Sequence, residues 1–112
     1  MDKLQIEGGV TLEGSIRISG AKNAALPLLA SGLMCSGTLQ LSNVPELADT
    51  VSMIELMEHL GVQIARTDTQ INISGEAKTL EAPYEQVRKM RASILVLGPL
   101  LARYGSVQVS LP

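Results

Sequence analysis

The sequence contains no phenylalanine and no tryptophan, and its only aromatic residues are Tyr84 and Tyr104. Any core must therefore be aliphatic, and no row of rings is available on which single-stranded nucleic acid could stack. There is one cysteine, Cys35, and one histidine, His59. That excludes an internal disulfide and leaves too few soft ligands for a metal site, so none is expected. An excess of one charge is missing as well. Nine basic residues against eleven acidic ones give a formal net charge of -2, which supplies neither a footprint for nucleic acid nor a polybasic membrane patch. The longest nearly apolar stretch, residues 24–35, is broken by Pro27 and Ser31 and is too short to span a bilayer. The N-terminus lacks the basic, apolar and small-residue succession of a signal peptide, and a reducing cytoplasm is the expected setting.

What is present is a globular pattern: hydrophobic residues make up 46% of 112 and are spread along the chain. A chain of this size supports one core, burying roughly two thirds of the surface it exposes when unfolded. Residues 4–6 and 15–19 (SIRIS) alternate apolar with polar, which predicts two short half-buried strands punctuated by Gly8-Gly9 and Glu13-Gly14. After Gly20 the alternation gives way to a continuous small-apolar run, which predicts a buried helix over residues 23–34 with Pro27 tolerated in its first turn. Gly37 ends it, and TLQL (38–41) predicts a strand. Asp49 or Thr50 then offers an N-cap to VSMIELMEHLG, in which Met53, Ile54, Leu56, Met57 and Leu60 share a face and Gly61 stands where a C-cap glycine belongs. Residues 62–65 and 70–74 (QINIS) predict a hairpin around Asp68-Thr69, and residues 76–83 a loop.

The chain also repeats itself. KNAALPLLASGLMCSGTLQLSNVP, from Lys22, matches RASILVLGPLLARYGSVQVSLP, from Arg91, as a cation, a small-apolar helix, then Gly-Ser/Thr-apolar-Gln-apolar-Ser and a closing proline. Gly37 and Gly105 set a period of 68 residues. Repetition of this kind means that a supersecondary unit is stacked on its own copies to bury faces one unit cannot cover alone. Here the second copy includes only its first helix and strand, so further modules are expected in the complete folding unit.

Lys22 follows a predicted strand and Gly20 and stands at the mouth of a helix, where unpaired peptide N–H groups carry roughly half a positive charge. A cation there opposes the dipole by about 0.3–1 kcal/mol, so helix stability gives no reason for it. An anionic ligand does: glycine, lysine and open N–H groups form a seat for phosphate or carboxylate, with the Asn23 amide as a further donor. Arg91 occupies the corresponding place in the second copy, although Arg88 and Lys89 beside it leave open a plain charged helix face. The nucleotide P-loop, G-x-x-x-x-G-K-[ST], does not fit: five residues separate Gly14 from Gly20, Ala21 intervenes before the lysine, and Asn23 replaces the magnesium-binding hydroxyl. His59 reads as a surface residue near a helix end, Cys35 as a buried structural thiol, and Glu55 and Glu58 as solvent-facing.

At SGAKNAALPLLA (19–30) and MRASILVLGPLLARYG (90–105) the sequence resembles the UDP-N-acetylglucosamine 1-carboxyvinyltransferases, and the likeness continues through NVPELADT (43–50), LGVQI (60–64) and the terminal QVSLP. The related shikimate-pathway enolpyruvyl transferases share the module but typically carry serine after the lysine, where this chain has Asn23. The resemblance implies an α/β (α+β) fold, an inside-out barrel of repeated βαβαββ modules with helices at its centre. About one and a half modules would be present: the first over residues 22–90, the start of the second over 91–112. Residues 1–21 would pack with the C-terminal domain of an intact enzyme several times longer.

The reaction implied is transfer of the enolpyruvyl group of phosphoenolpyruvate to the 3′-hydroxyl of UDP-N-acetylglucosamine, by addition and then loss of phosphate, as the first committed step of peptidoglycan synthesis. By the same resemblance, Lys22 and Asn23 match a phosphoenolpyruvate-binding pair and Arg91 a nucleotide-sugar-binding arginine. No cofactor is implied, and the partners are the two substrates and the rest of the same enzyme. Leu95 stands where some of these enzymes have tryptophan. The general-acid cysteine would come just after Pro112, so no catalytic residue is expected within the chain, and Cys35 does not match it. Two alternatives differ in class or substrate: a non-catalytic anion-binding module of the same fold, and a shikimate-type enolpyruvyl transferase.

Overall fold

The apolar run after Gly20 folds as helix α1 (Lys22–Ser31), continued by a 3-10 turn over Gly32–Met34, in a computed structural model that describes residues 2–111. Ala25, Leu26, Leu29 and Ala30 face inward from α1, while Pro27 is exposed in its second turn. Strand β1 (Leu39–Leu41) follows, and then the amphipathic helix α2 (Ala48–Leu60), which buries Met53, Leu56, Met57 and Leu60. Gly61 ends α2 as expected, at φ 111°, a conformation that a side chain would strain. Its own N–H and that of Val62 return to the Met57 carbonyl, closing the last turn.

The hairpin β2 (Gln63–Thr67) and β3 (Gln70–Ser74) turns at Asp68, which takes the left-handed conformation at φ 57°. β3 is the central strand of an antiparallel sheet of order β1-β3-β2, with Leu39 opposite Ile73 and Leu41 opposite Ile71 on one side and Ile64 opposite Ile73 on the other. Ile71 and Ile73 lie in one cluster with Leu29 and Leu33 from the first helical segment and Met53, Leu56, Met57 and Leu60 from α2. The sequence order helix, strand, helix, strand, strand is therefore a two-layer unit with an aliphatic seam between helices and sheet.

The rest departs from the sequence expectations in four places. Residues 4–6 and 15–19 form no strands, and no regular element occurs before Lys22 among the described residues. Their side chains find no sheet to pair with: Leu4, Ile6, Val10, Leu12, Ile16 and Ile18 are all at least 75% exposed. The radius of gyration, 17.3 Å, accordingly exceeds the roughly 13 Å of a compact chain of this length. Second, α2 starts at Ala48, before Asp49 and Thr50, and its N-cap is Leu47, whose side chain cannot cap. The Thr50 hydroxyl instead reaches back, accepting the Leu47 N–H at 2.9 Å and donating to the Pro45 carbonyl at 2.8 Å. Third, the segment expected as loop contains strand β4 (Glu81–Ala82), which pairs in parallel with β5 (Gln108–Val109).

Fourth, the helix of the second copy is divided. A single turn α3 (Tyr84–Val87) precedes a 3-10 segment, Arg91–Val96, which runs into α4 (Leu97–Tyr104). α4 is fastened to the first copy by Arg103, whose guanidinium donates to the carbonyls of Leu33 at 3.1 Å and Cys35 at 2.8 Å. The Tyr104 hydroxyl accepts the Ala77 N–H at 2.8 Å. Pro112, the closing proline of the second copy, lies outside the described residues.

Candidate functional site

The entrance of α1 is shaped by the loop that follows β1. Asn43 adopts the left-handed conformation (φ 56°), and its side-chain amide donates to the Ile18 carbonyl at 3.2 Å. This draws residues 18–20 across the loop, where a side chain at Gly20 would collide with the Asn43 carbonyl oxygen and reach within 2.9 Å of Pro45 Cδ. Glycine is required there by space. The same loop is held from the other side by Val44, whose N–H donates to the Thr69 carbonyl at 2.9 Å.

Lys22 is the first residue of α1, and its N-cap, Ala21, is extended and has no capping side chain. The first turn contains no acidic residue. The N–H groups of Lys22, Asn23 and Ala24 thus open the helix without a capping acceptor, which is the arrangement an anion fits. Lys22 and Asn23 are both exposed. Two clefts flank this entrance, of about 150 Å³ and 370 Å³, and share Gly20, Asn43, Val44 and Pro45 in their walls. Lys22, Asn23 and Arg91 line neither of them.

The Lys22 ammonium is paired with a partner that the sequence reading placed elsewhere. Its Nζ lies 3.2 Å from Asp49 Oδ2, with the two side chains 46% and 35% exposed. Asp49 is not the N-cap of α2 but sits inside its first turn, where a carboxylate complements that helix's dipole. α1 and α2 pack together, so their N-terminal turns meet at one end with an ion pair between them. A pair this exposed contributes about 0–1 kcal/mol to stability. Nothing in the local sequence could have identified it, because the partners are 27 residues apart.

Arg91 opens the 3-10 segment Arg91–Val96 behind an extended Met90. The neighbouring cations are engaged, Arg88 with Glu85 at 3.2 Å and Lys89 with Glu55 at 3.5 Å, whereas Arg91 forms no ion pair among the described residues. The cluster therefore divides into two paired residues and one uncommitted guanidinium. Arg91–Val96 packs against α1, which puts the two cation-bearing entrances on contacting elements. His59 and Glu58 are exposed, as the helix pattern required, and Cys35 is half-buried with its Sγ 3.6 Å from the Ser31 carbonyl. Among the described residues no helix is long and apolar enough to cross a membrane.

Comparison with known proteins adds to this geometry. Residues 6–112 match the model of the EPSP synthase (3-phosphoshikimate 1-carboxyvinyltransferase) family. A protein of Carboxydothermus hydrogenoformans named UDP-N-acetylglucosamine 1-carboxyvinyltransferase 2 is 51% identical over the whole chain. One of Desulfosudis oleivorans, named UDP-N-acetylglucosamine 1-carboxyvinyltransferase, is 56% identical over the same extent. The chain spans 27% of the length of each. Among solved structures, the enolpyruvyl transferase NikO of Streptomyces tendae superposes with a TM-score of 0.71 at 24% identity, over 88% of this chain and 23% of that one. That likeness establishes the fold.

Proposed function

Since the chain belongs to the EPSP synthase family, we propose that it is part of an enzyme that transfers the enolpyruvyl group of phosphoenolpyruvate to the 3′-hydroxyl of UDP-N-acetylglucosamine, releasing phosphate. The observation that carries this reading is identity of 51–56% over the whole chain to two proteins named for that activity. It favours the sugar nucleotide over shikimate 3-phosphate as acceptor. The reaction belongs to peptidoglycan synthesis in the cytoplasm, and its two substrates are the partners of the intact protein.

Lys22 is assigned to the phosphate-bearing group of phosphoenolpyruvate, with the open N–H groups of α1 and the Asn23 amide as further donors. Negative charge on that group persists through addition and is carried away by the departing phosphate. A fixed cation and a helix entrance stabilise it without reorganising at the moment of reaction, and losing one such donor typically costs about 2.7–4 kcal/mol in the barrier. Arg91, without an ion pair among the described residues and on a segment that packs against α1, is assigned to the nucleotide sugar, whose diphosphate suits a guanidinium. Residues 1–21 are assigned to a domain of the intact enzyme other than the barrel begun by residues 22–112. Their exposed apolar side chains support that division.

The test is steady-state turnover by the full-length enzyme carrying Lys22→Ala, with both acceptors offered. The expected result is turnover of UDP-N-acetylglucosamine by the parent and a loss of kcat/KM well beyond tenfold in the variant. A loss below tenfold, or a preference for shikimate 3-phosphate, refutes the assignment.

A further inference from the structure

The partner of Lys22 raises a question of purpose. A lysine at a helix entrance is pushed outward by the dipole and has four side-chain torsions through which to leave. An anion seat needs that ammonium in one place. The backbones on both sides of the pair are tied to a single loop: Gly20, two residues before Lys22, is pressed against Asn43 and Pro45, and Thr50, next to Asp49, is hydrogen-bonded to Pro45 and Leu47. Thr50 is fully buried, so the first turn of α2 is firmly set relative to that loop. The Asp49 carboxylate is thus held by a fixed backbone 3.2 Å from the amine that must be directed.

We propose that Asp49 is a positioning residue, which aims the Lys22 ammonium at the entrance of α1 so that the anionic group of the substrate meets it already in place. The inference rests on the phosphoenolpyruvate-binding role assigned to Lys22. Asp49 touches no substrate in this scheme. Its carboxylate shares the ammonium with the incoming anion, and the energy that would otherwise immobilise the lysine on binding is spent on folding instead.

Four variants of the full-length enzyme separate this from a plain structural role: Asp49→Asn, Asp49→Glu, Lys22→Ala and the Lys22→Ala/Asp49→Asn double variant. Asp49→Asn is expected to raise KM for phosphoenolpyruvate about tenfold while leaving KM for UDP-N-acetylglucosamine and the melting temperature unchanged. Asp49→Glu is expected to recover part of the loss, and Asp49→Asn is expected to add nothing once Lys22 is alanine. Unchanged kinetics in Asp49→Asn overturn the inference. So does a parallel rise in both KM values, or an equal loss with and without Lys22. Parent-like activity in Lys22→Ala instead overturns the role of Lys22, whatever Asp49 does.

Discussion

Two five-residue segments of this chain carry nearly the same pattern and meet opposite fates. QINIS (Gln70–Ser74) is the central strand of a sheet, with Ile71 and Ile73 completely buried between its neighbours and the helices. SIRIS, residues 15–19, forms no strand and leaves Ile16 and Ile18 85% and 75% exposed. Alternation states only that one face wants burial. QINIS finds β1 and β2 within reach and two helices to cover it, whereas SIRIS precedes the first helix and has no paired neighbour. The repeat adds to the contrast. β5 in the second copy pairs in parallel with β4, while β1, its counterpart, pairs antiparallel with β3.

Substitutions that probe the two segments should separate them in size. Ile73→Ala, which opens a cavity against the 3-10 turn at Gly32, is expected to destabilise by about 2–5 kcal/mol in chemical denaturation, while Ile16→Ala changes stability by less than about 0.5 kcal/mol. Equal effects would mean that SIRIS is buried in solution, and would erase the comparison. At the junction of the two regions, Gly20→Ala forces a methyl group into the Asn43 carbonyl and is expected to cost about 1–3 kcal/mol. A neutral result there would show that residues 18–20 do not rest on the loop. A small effect of the opposite sign is expected at Ser93, fully buried with its hydroxyl unpaired among the described residues. Ser93→Ala removes that polar burden and should be neutral or mildly stabilising, by no more than about 1 kcal/mol. A clear loss of stability would reveal a hydrogen-bonding partner for the hydroxyl.

The first module was legible because its signals are local. The α2 stripe and Gly61, the QINIS alternation and the small-apolar run of α1 each name an element without reference to the rest of the chain. Lys22 and Arg91 were legible as a repeated cation at a helix mouth. Asp49 was not, because the residue that looked like a cap acts across a helix–helix contact that no spacing rule encodes. β4 was missed for a related reason: two residues carry no periodicity, and only the register with Gln108 and Val109 makes them a strand.

What the sequence by itself determined is therefore the aliphatic nature of the core, the order of the first module, the 68-residue recurrence and the cation at each helix entrance, since all of these follow from residue type and short-range spacing. The tertiary structure decided which alternating segments became strands, which carboxylate meets Lys22, and which of three neighbouring cations is left uncommitted. Those outcomes depend on what lies alongside a segment in space, and two stretches with the same pattern differ in energy only when one of them has a surface to bury against.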